Sequence, residues 1–258
     1  MTPIVEVLPI KVDVEAINRG FYWVKDLYDP VWQGSEFGYN NFGGWSIQSR
    51  TGDYREGWEM GIEKCTKNGV INYNLAKYLN ISHPFEINKI SEIFKYRCES
   101  IIKILNTIEQ LGFYPRRARV TVLKAGSKSI VHTDASSDIY LHRIHIPLIT
   151  NEKCVHITEG IPFHMKADGS VYMLPVNVMH QIVNDSDRDR YHIIMDAYDT
   201  KNITKSYRYN GDINKLIAES IDYRTNIEAT HNGMMRNIMY SIVKKIHITK
   251  FKREQHNK

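Results

Sequence analysis

Residues 140–148 read YLHRIHIPL, and the polarity of their side chains alternates with a period of two. Arg143 and His145 are polar, whereas positions 144, 146 and 148 hold Ile, Ile and Leu. Because successive side chains of a β-strand point to opposite faces, this pattern predicts a strand with one apolar and one polar face. In a closed β structure the polar face would line a ligand cavity; the alternative is an outward face in contact with solvent.

Strand-like patterns continue through residues 116–200. About eight short strands are predicted there, at residues 117–124, 129–133, 139–148, 153–157, 162–166, 170–174, 178–184 and 189–198. The turn residues at 166–169 (KADG) and 185–188 (DSDR) predict two hairpin turns. Many short strands separated by turns are typical of a β-sandwich or barrel.

Helical spacing appears before this β region. Asp13 is predicted to cap a helix over Val14–Leu27. Isoleucine and leucine residues at helical spacing predict a second helix over Ile90–Leu111. Between the two helices, a short strand is predicted at Gly44–Arg50.

The chain is predicted to be one compact unit with three regions. Residues 1–115 form an N-terminal extension packed on the core, residues 116–200 form the β core, and residues 201–258 form a C-terminal helical region with a basic tail. Helical spacing from Gly211 onward, broken near 231–233, predicts a helical pair in the last region.

The composition is that of a folded protein, since 42% of the 258 residues are hydrophobic and 24% are charged. The net charge of +5 is mild and argues against a nucleic-acid partner. No apolar run is long enough for a transmembrane helix and no secretory signal is visible, so we expect a cytoplasmic protein with no membrane partner. Cys65, Cys98 and Cys154 form no pairing pattern, which fits a reducing compartment; no oligomeric state is predicted.

Histidines concentrate in the β region, where seven of the 11 lie between His132 and His192. In the motif His132-Thr133-Asp134, residues i and i+2 of a strand would place two metal ligands on one face. His180, on another predicted strand, completes a set of two histidines and one carboxylate, which leaves open positions on iron(II). Arg190 follows ten residues later, and its guanidinium is suited to bind a carboxylate through two hydrogen bonds.

These residues resemble the aspartyl/asparaginyl β-hydroxylase-like branch of the iron(II)/2-oxoglutarate-dependent oxygenases, which includes proline-hydroxylating relatives. The resemblance covers Arg119–Tyr198 and rests on the segments RVTVLKAGSKSIVHTD, LHRIHIPLITN, FHMKADGSVYMLP and HQIVNDSDRDRYHIIMDAY. It implies a mainly β protein with helical additions, whose core is a double-stranded β-helix of the jelly-roll, cupin-like type. The implied cofactors are Fe(II) and 2-oxoglutarate.

The resemblance also implies roles for individual residues. His132, Asp134 and His180 fall on the metal-binding positions, and Arg190 falls on the arginine that binds the distal carboxylate of 2-oxoglutarate. The remaining matches, which lie around the cosubstrate in the family, are Arg143, His145 and Thr121.

One position departs from part of the family. The vertebrate aspartyl hydroxylases have no carboxylate at the position of Asp134, so the resemblance is closer to the bacterial and phage-type members. The implied reaction is hydroxylation of an Asp-, Asn- or Pro-type residue in a peptide or protein. The alternatives are a free amino-acid hydroxylase of the proline type and a non-catalytic, cupin-like metal-binding module.

The predicted strand at Gly44–Arg50 supplies candidate substrate-binding residues. Trp45, Gln48 and Arg50 combine a stacking ring with hydrogen-bond donors. The alternative is that Trp45 belongs to the core and Arg50 is a surface charge.

Overall fold

The computed structural model describes residues 5–32, 41–56, 66–67, 70–71, 87–132, 141–175 and 178–199. The helices are α1 (Val14–Leu27), α2 (Glu92–Lys95) and α3 (Glu99–Gln110). The strands are β1 (Glu6–Lys11), β2 (Val31–Trp32), β3 (Phe42–Ser46), β4 (Gln48–Ser49), β5 (Thr66–Lys67), β6 (Val70–Ile71), β7 (Lys89–Ile90), β8 (Phe113–Leu123), β9 (Ser127–Lys128), β10 (Leu141–Ile149), β11 (Cys154–Thr158), β12 (Ile161–Phe163), β13 (Ser170–Pro175), β14 (His180–Asn184) and β15 (Arg190–Asp199). The predicted C-terminal helical pair lies outside the described residues.

Two antiparallel sheets form the core. The larger has the strand order β1-β13-β10-β15-β8-β3-β2, and the smaller has the order β12-β11-β14-β9. From β8 to β15, the chain therefore crosses repeatedly between the sheets, with β8, β10, β13 and β15 in one and β9, β11, β12 and β14 in the other. This connectivity is that of a double-stranded β-helix, or jelly roll, and the predicted fold class is confirmed.

The two faces of β10 differ as the period-two pattern predicts. Ile144, Ile146 and Leu148 are buried in the main apolar core, together with residues of α1 and α3. His145 lies on the opposite face, where its ring centroid is 5.8 Å from that of His156 in the smaller sheet. The helices thus cover the outer face of the larger sheet, and its polar face lines the space between the two sheets.

Strands from the N-terminal region extend the larger sheet on both sides. The strand β1 pairs with β13, and β3 pairs with β8, so the first 115 residues contribute to the same sheet as the core strands. The helix α1 begins after Asp13, whose carboxylate accepts a hydrogen bond from the backbone N–H of Ala16 at 2.9 Å, as predicted. No helix in the described ranges is long and apolar enough to cross a membrane.

The single helix predicted over Ile90–Leu111 is wrong. The structure has α2 and α3 instead, separated at Cys98, which has φ −124° and ψ 44°. A Cβ atom added at Gly20 would lie 2.7 Å from the carbonyl oxygen of Arg97, so α1 packs directly against the backbone of the break. The predicted strand at Gly44–Arg50 is likewise divided at Ile47, whose N–H donates to Ala118 and whose carbonyl accepts from Ser91.

The two predicted hairpin turns are also wrong. Residues 166–169 follow β12 in the smaller sheet and lead to β13 in the larger, and residues 185–188 connect β14 with β15 in the same manner. In each case the two strands that flank the segment pair with strands of different sheets and not with each other, so the segment crosses between the sheets. A two-residue hairpin instead joins β11 to β12 at Glu159 and Gly160, which both have positive φ.

Candidate functional site

His132 and His180 lie opposite each other at the end of the smaller sheet. The backbone N–H of each residue donates to the carbonyl oxygen of the other, at 3.0 and 2.9 Å. Their ring centroids are 4.4 Å apart, because directly opposed residues of an antiparallel pair project from the same face. The structure therefore brings two of the three predicted metal ligands together, although 48 positions separate them in the chain.

Hydrogen bonds define the tautomer of both rings. The Nδ1 atom of His132 lies 2.8 Å from the carbonyl oxygen of Ile130, and that of His180 lies 2.9 Å from the carbonyl oxygen of Val178. A carbonyl can only accept, so each Nδ1 carries a hydrogen, and Nε2 is the nitrogen that remains for a metal. A backbone carbonyl bound to one ring nitrogen is the usual way in which proteins orient the other nitrogen toward a metal.

Asp134, the third predicted ligand, lies outside the described residues. Within the ranges that are described, no group of three His, Cys, Asp or Glu side chains is placed to hold a metal ion. The donor types fit iron(II) or another first-row divalent metal, with a carboxylate still required to complete the set.

A row of imidazoles leads from the paired histidines across the space between the sheets. The ring of His156 stacks on that of His180, with centroids 5.3 Å apart and planes inclined by 13°. The ring centroid of His145 lies 5.8 Å from that of His156, and the ring centroid of His192 lies 5.9 Å from that of His145. We call these five residues the histidine row: His132, His180, His156, His145 and His192. The row is mostly buried, and burial lowers the pKa of both His145 and His192 well below the ordinary value, so these two rings are neutral at pH 7.

The histidine row ends at Arg190. This side chain is 3% exposed, and one of its terminal nitrogens, Nη2, donates to Nδ1 of His192 at 2.6 Å. The other, Nη1, is buried without a hydrogen-bond partner among the described residues. Burial lowers the pKa of Arg190 to about 10, which leaves the guanidinium charged at neutral pH. A buried cation with an unsatisfied donor is a site for an anion, and its planar fork matches a carboxylate.

Arg143 lies toward the other end of the polar face and has an acidic partner. Its Nε and Nη2 atoms donate to Oδ1 of Asp196 at 3.1 and 2.7 Å, while Nη1 of Arg117 donates to Oδ2 at 3.2 Å. A bulge in β8 gives Arg117 a φ of 53° and shifts the register with β15, which turns this side chain toward Asp196. Burial alone would raise the pKa of Asp196, but the charges of the surrounding arginines outweigh it and lower the pKa.

Thr121 is buried on the same polar face. It lies opposite His192 in the register of β8 and β15, and its hydroxyl donates to the carbonyl oxygen of His192 at 3.1 Å. Together with His145 and Arg190, it lines one continuous surface of the larger sheet.

Two of the three predicted substrate-binding residues lie elsewhere. Trp45 is 2% exposed in the helix-side core, where its indole N–H donates to the carbonyl oxygen of Tyr28. Gln48 is buried, with its amide bonded to the backbone of Ala118 and Pro115. Trp45 is thus a core residue, which is the alternative that the sequence left open, and the structure does not bring these two side chains to the histidine row. Arg50 lies 3.8 Å from the carboxylate of Glu56.

Sequence reasoning missed His192 and Asp196. Arg190-Tyr191-His192 repeats the spacing of Arg143-Ile144-His145, and this repetition was the available signal for His192. Asp196 has no such motif, since its partners come from two neighbouring strands.

The fold and the histidine row define a jelly-roll protein with a buried, histidine-rich interior between its two sheets. Residues 85–200 match the family model described as aspartyl/asparaginyl beta-hydroxylase. The resemblance inferred from the sequence is therefore confirmed, and the match supports an enzyme of the hydroxylase type.

Solved structures with similar folds include hydroxylases and cupins. A prolyl-4-hydroxylase from Pseudomonas putida is 8% identical, with a TM-score of 0.46, and the alignment covers 76% of this chain and 93% of that one. A prolyl hydroxylase from Trichoplax adhaerens, solved with a hypoxia inducible factor peptide fragment, is 14% identical with a TM-score of 0.35, covering 46% and 63%. The Cnp3 cupin domain from Schizosaccharomyces pombe is 22% identical with a TM-score of 0.28, covering 40% and 73%. No curated protein sequence matches this chain.

Proposed function

We propose that this protein is an iron(II)/2-oxoglutarate-dependent dioxygenase that hydroxylates an amino-acid residue in a peptide or protein. One observation carries the proposal: a buried guanidinium with an unsatisfied donor, Arg190, lies at the far end of a row of imidazoles that begins at the paired His132 and His180. A cosubstrate that binds a metal through one end and has a carboxylate at the other would connect the two.

In this proposal, His132, Asp134 and His180 hold the metal. The Nδ1–H groups of both histidines are bound by backbone carbonyls, which supports coordination through Nε2. When bound, iron(II) and 2-oxoglutarate supply the oxygen chemistry that hydroxylates a C–H bond and yields succinate and carbon dioxide. The protein orients the reactants and excludes water from the space between its sheets.

The remaining predicted residues have distinct tasks. Arg190 binds the distal carboxylate of 2-oxoglutarate, and burial strengthens this ion pair because little water competes for the charge. His145, between the paired histidines and Arg190, contacts the cosubstrate near its metal-bound end. Arg143 and Thr121 complete the surroundings of the cosubstrate. Asp196 holds the Arg143 guanidinium in place through two hydrogen bonds.

A peptide or protein residue is the proposed substrate, and a free amino acid is the second candidate. Trp32 remains exposed next to the glycine-rich segment that contains Gly34, Gly38, Gly43 and Gly44, and its ring can stack on a bound chain. A free amino acid would require a charged residue for its own carboxylate, for which Arg50 is the nearest candidate named from the sequence.

The experiment compares substrates in one assay. Succinate is measured with free proline, aspartate and asparagine, and with peptides that contain the same residues, while mass spectrometry detects a gain of one oxygen. We expect coupled turnover with a peptide and none with His180→Ala. Coupled turnover with a free amino acid that is lost in Arg50→Ala would reverse the order of the two candidates, and absence of any succinate would favour a non-catalytic binding module.

A further inference from the structure

Exposed apolar side chains gather at the end of the smaller sheet that holds the paired histidines. Among the described residues, nine large hydrophobic side chains are exposed, and three of them lie at this end: Val131 at 45%, Met179 at 43% and Ile161 at 50%. Val131 directly precedes His132, and Met179 directly precedes His180. A single exposed apolar residue needs no explanation, but a group of them at one rim is typical of a surface that contacts another molecule.

The pairing of the strands places Ile161 in line with the paired histidines. His180 lies opposite His132 on one side and opposite Thr158 on the other. Thr158 in turn lies opposite Ile161 of β12. Directly opposed residues project from the same face, so these four side chains form one row across the end of the smaller sheet. Two strand spacings, roughly 10 Å, separate the backbones at His180 and Ile161.

This row faces the space between the two sheets. Phe163, two residues after Ile161 on β12, contacts Tyr172 of the larger sheet, with ring centroids 5.7 Å apart. Side chains two positions apart on a strand share a face, so Ile161 is directed to the same side as Phe163. Phe163 also packs against a buried apolar cluster that includes Tyr172 and Leu174. Ile161 is therefore the exposed end of an apolar strip that continues into the interior.

This end of the space has two chemically different sides. Leu174 lies directly opposite Arg143 in the pairing of β13 with β10, and it is buried on the same face of the larger sheet. The paired histidines and Arg143 form the polar side, where the proposed function places the metal. Ile161 and Leu174 form the apolar side, and their side chains offer a ligand neither a charge nor a hydrogen bond.

We propose that Ile161 and Phe163 form a subsite for an apolar side chain of a peptide substrate, two positions away from the residue that is hydroxylated. The inference rests on the proposed function for the reaction and for the peptide. In an extended chain, side chains two positions apart point to the same side at a spacing of roughly 7 Å. A residue at the paired histidines thus brings its second neighbour toward Ile161, whereas its immediate neighbours point to the opposite side.

Matched peptides test the subsite. Each is a short peptide with Pro, Asp or Asn at its centre, Ser elsewhere, and a single Leu placed either two positions or one position from the centre, on either side. Succinate formation and the gain of one oxygen give kcat and KM for each peptide. The protein variants are Ile161→Thr, which keeps the β-branched shape of a strand residue but replaces its ethyl group by a hydroxyl, and Ile161→Val, which keeps an apolar side chain. Leu27→Thr is the matched control, because Leu27 is also an exposed aliphatic residue but lies at the end of α1.

We expect the parent to prefer the peptide with Leu two positions from the centre over the peptide without Leu, by about fivefold to tenfold in kcat/KM, the range for partial burial of a Leu side chain. The difference should lie in KM, because the subsite contacts the bound peptide equally before and during the reaction. Leu one position from the centre should give no such gain. In Ile161→Thr the preference should fall to near one, whereas Ile161→Val should keep most of it and Leu27→Thr should keep all of it. Circular dichroism verifies that the variants fold, and the peptide comparison in the parent decides the preference even if Ile161→Thr does not.

The outcomes separate this inference from the proposed function. If peptides are hydroxylated without a preference for Leu two positions away, or if the preference persists in Ile161→Thr, the subsite is wrong and the proposed function stands. Turnover of free amino acids alone would also overturn the inference, because such a substrate has no second neighbour. Absence of succinate with every substrate would overturn the proposed function together with the inference that rests on it. Light scattering tests another occupant: conversion of an oligomer to a monomer in Ile161→Thr, with the peptide preference intact, would assign Ile161 to a contact between copies of this chain and overturn the inference.

Discussion

Replacement of Asp196 by Asn tests the buried charge cluster on which the polar face depends. Asp196 is 2% exposed and accepts hydrogen bonds from Arg143 and Arg117, the shortest at 2.7 Å. Asparagine keeps the shape of the side chain but removes its negative charge, which leaves two guanidinium groups together in the interior. Removing one partner of a buried ion pair costs about 3–5 kcal/mol, a large part of a typical total stability of about 5–15 kcal/mol.

Urea denaturation of the parent and of Asp196→Asn at pH 7 measures this loss, and the melting temperature should fall by about 10 °C. Asp26→Asn is the matched control, since its pair with Lys25 is on the surface and should contribute at most about 1 kcal/mol. The surrounding arginines lower the pKa of Asp196 in the folded protein despite its burial. The stabilising effect of Asp196 is therefore fully present above its pKa in the unfolded chain, about 3.9. The effect is lost as the pH falls through the lower pKa of the folded protein. The difference between parent and variant must therefore narrow in acid. A loss below about 1 kcal/mol at pH 7, or a difference that does not depend on pH below 4, would refute this account of the cluster.

Four further outcomes follow from the same structure. His180→Ala should abolish iron binding and all turnover of 2-oxoglutarate with the fold intact by circular dichroism, because a three-ligand site that loses one ligand does not keep comparable affinity; parental succinate formation would contradict this. Arg190→Ala should still bind iron but should bind 2-oxoglutarate more weakly by about 2–5 kcal/mol in titrations. Arg190→Lys should recover only part of this affinity, because lysine offers a point charge and not a planar fork. Equal affinity in the parent and both variants would count against Arg190 as the carboxylate-binding residue. Asn184→Ala should lower the free energy of unfolding, measured in urea, by about 3 kcal/mol. The reason is that the amide nitrogen of Asn184 donates to three backbone carbonyls and its oxygen accepts from Cys154. A loss near zero would show that these hydrogen bonds contribute little. Burial lowers the pKa of His192 well below 6.5, so the unfolded chain binds a proton at this residue before the folded chain does. The free energy of unfolding should therefore fall as the pH drops below about 6.5. Its dependence on pH should be weaker in His192→Phe, and an equal dependence would contradict a buried neutral ring.

The local patterns of the sequence were sufficient for most strands of the core. The alternation in residues 140–148 predicted both faces of β10, because the period of a strand is a property of the backbone and does not depend on its neighbours. The same reasoning predicted strands at His132 and His180: His180 begins β14, and His132 forms an isolated antiparallel bridge with it. The carboxylate-binding role of Arg190 stays a prediction.

Long-range contacts decided the rest. The chain breaks between α2 and α3 where α1 approaches closely at Gly20, although the apolar spacing is continuous through Cys98. Trp45 has the chemistry of a substrate-binding residue, but the side of the sheet on which a side chain lies depends on which strands pair, and here the pairing directs it into the core. The contact between the His145 ring and the His192 ring likewise arises because β10 pairs with β15. The periodicity of the sequence determines which side chains share a face of each helix or strand. Which faces meet depends on contacts between residues far apart in the chain, and the local sequence holds no signal for those contacts.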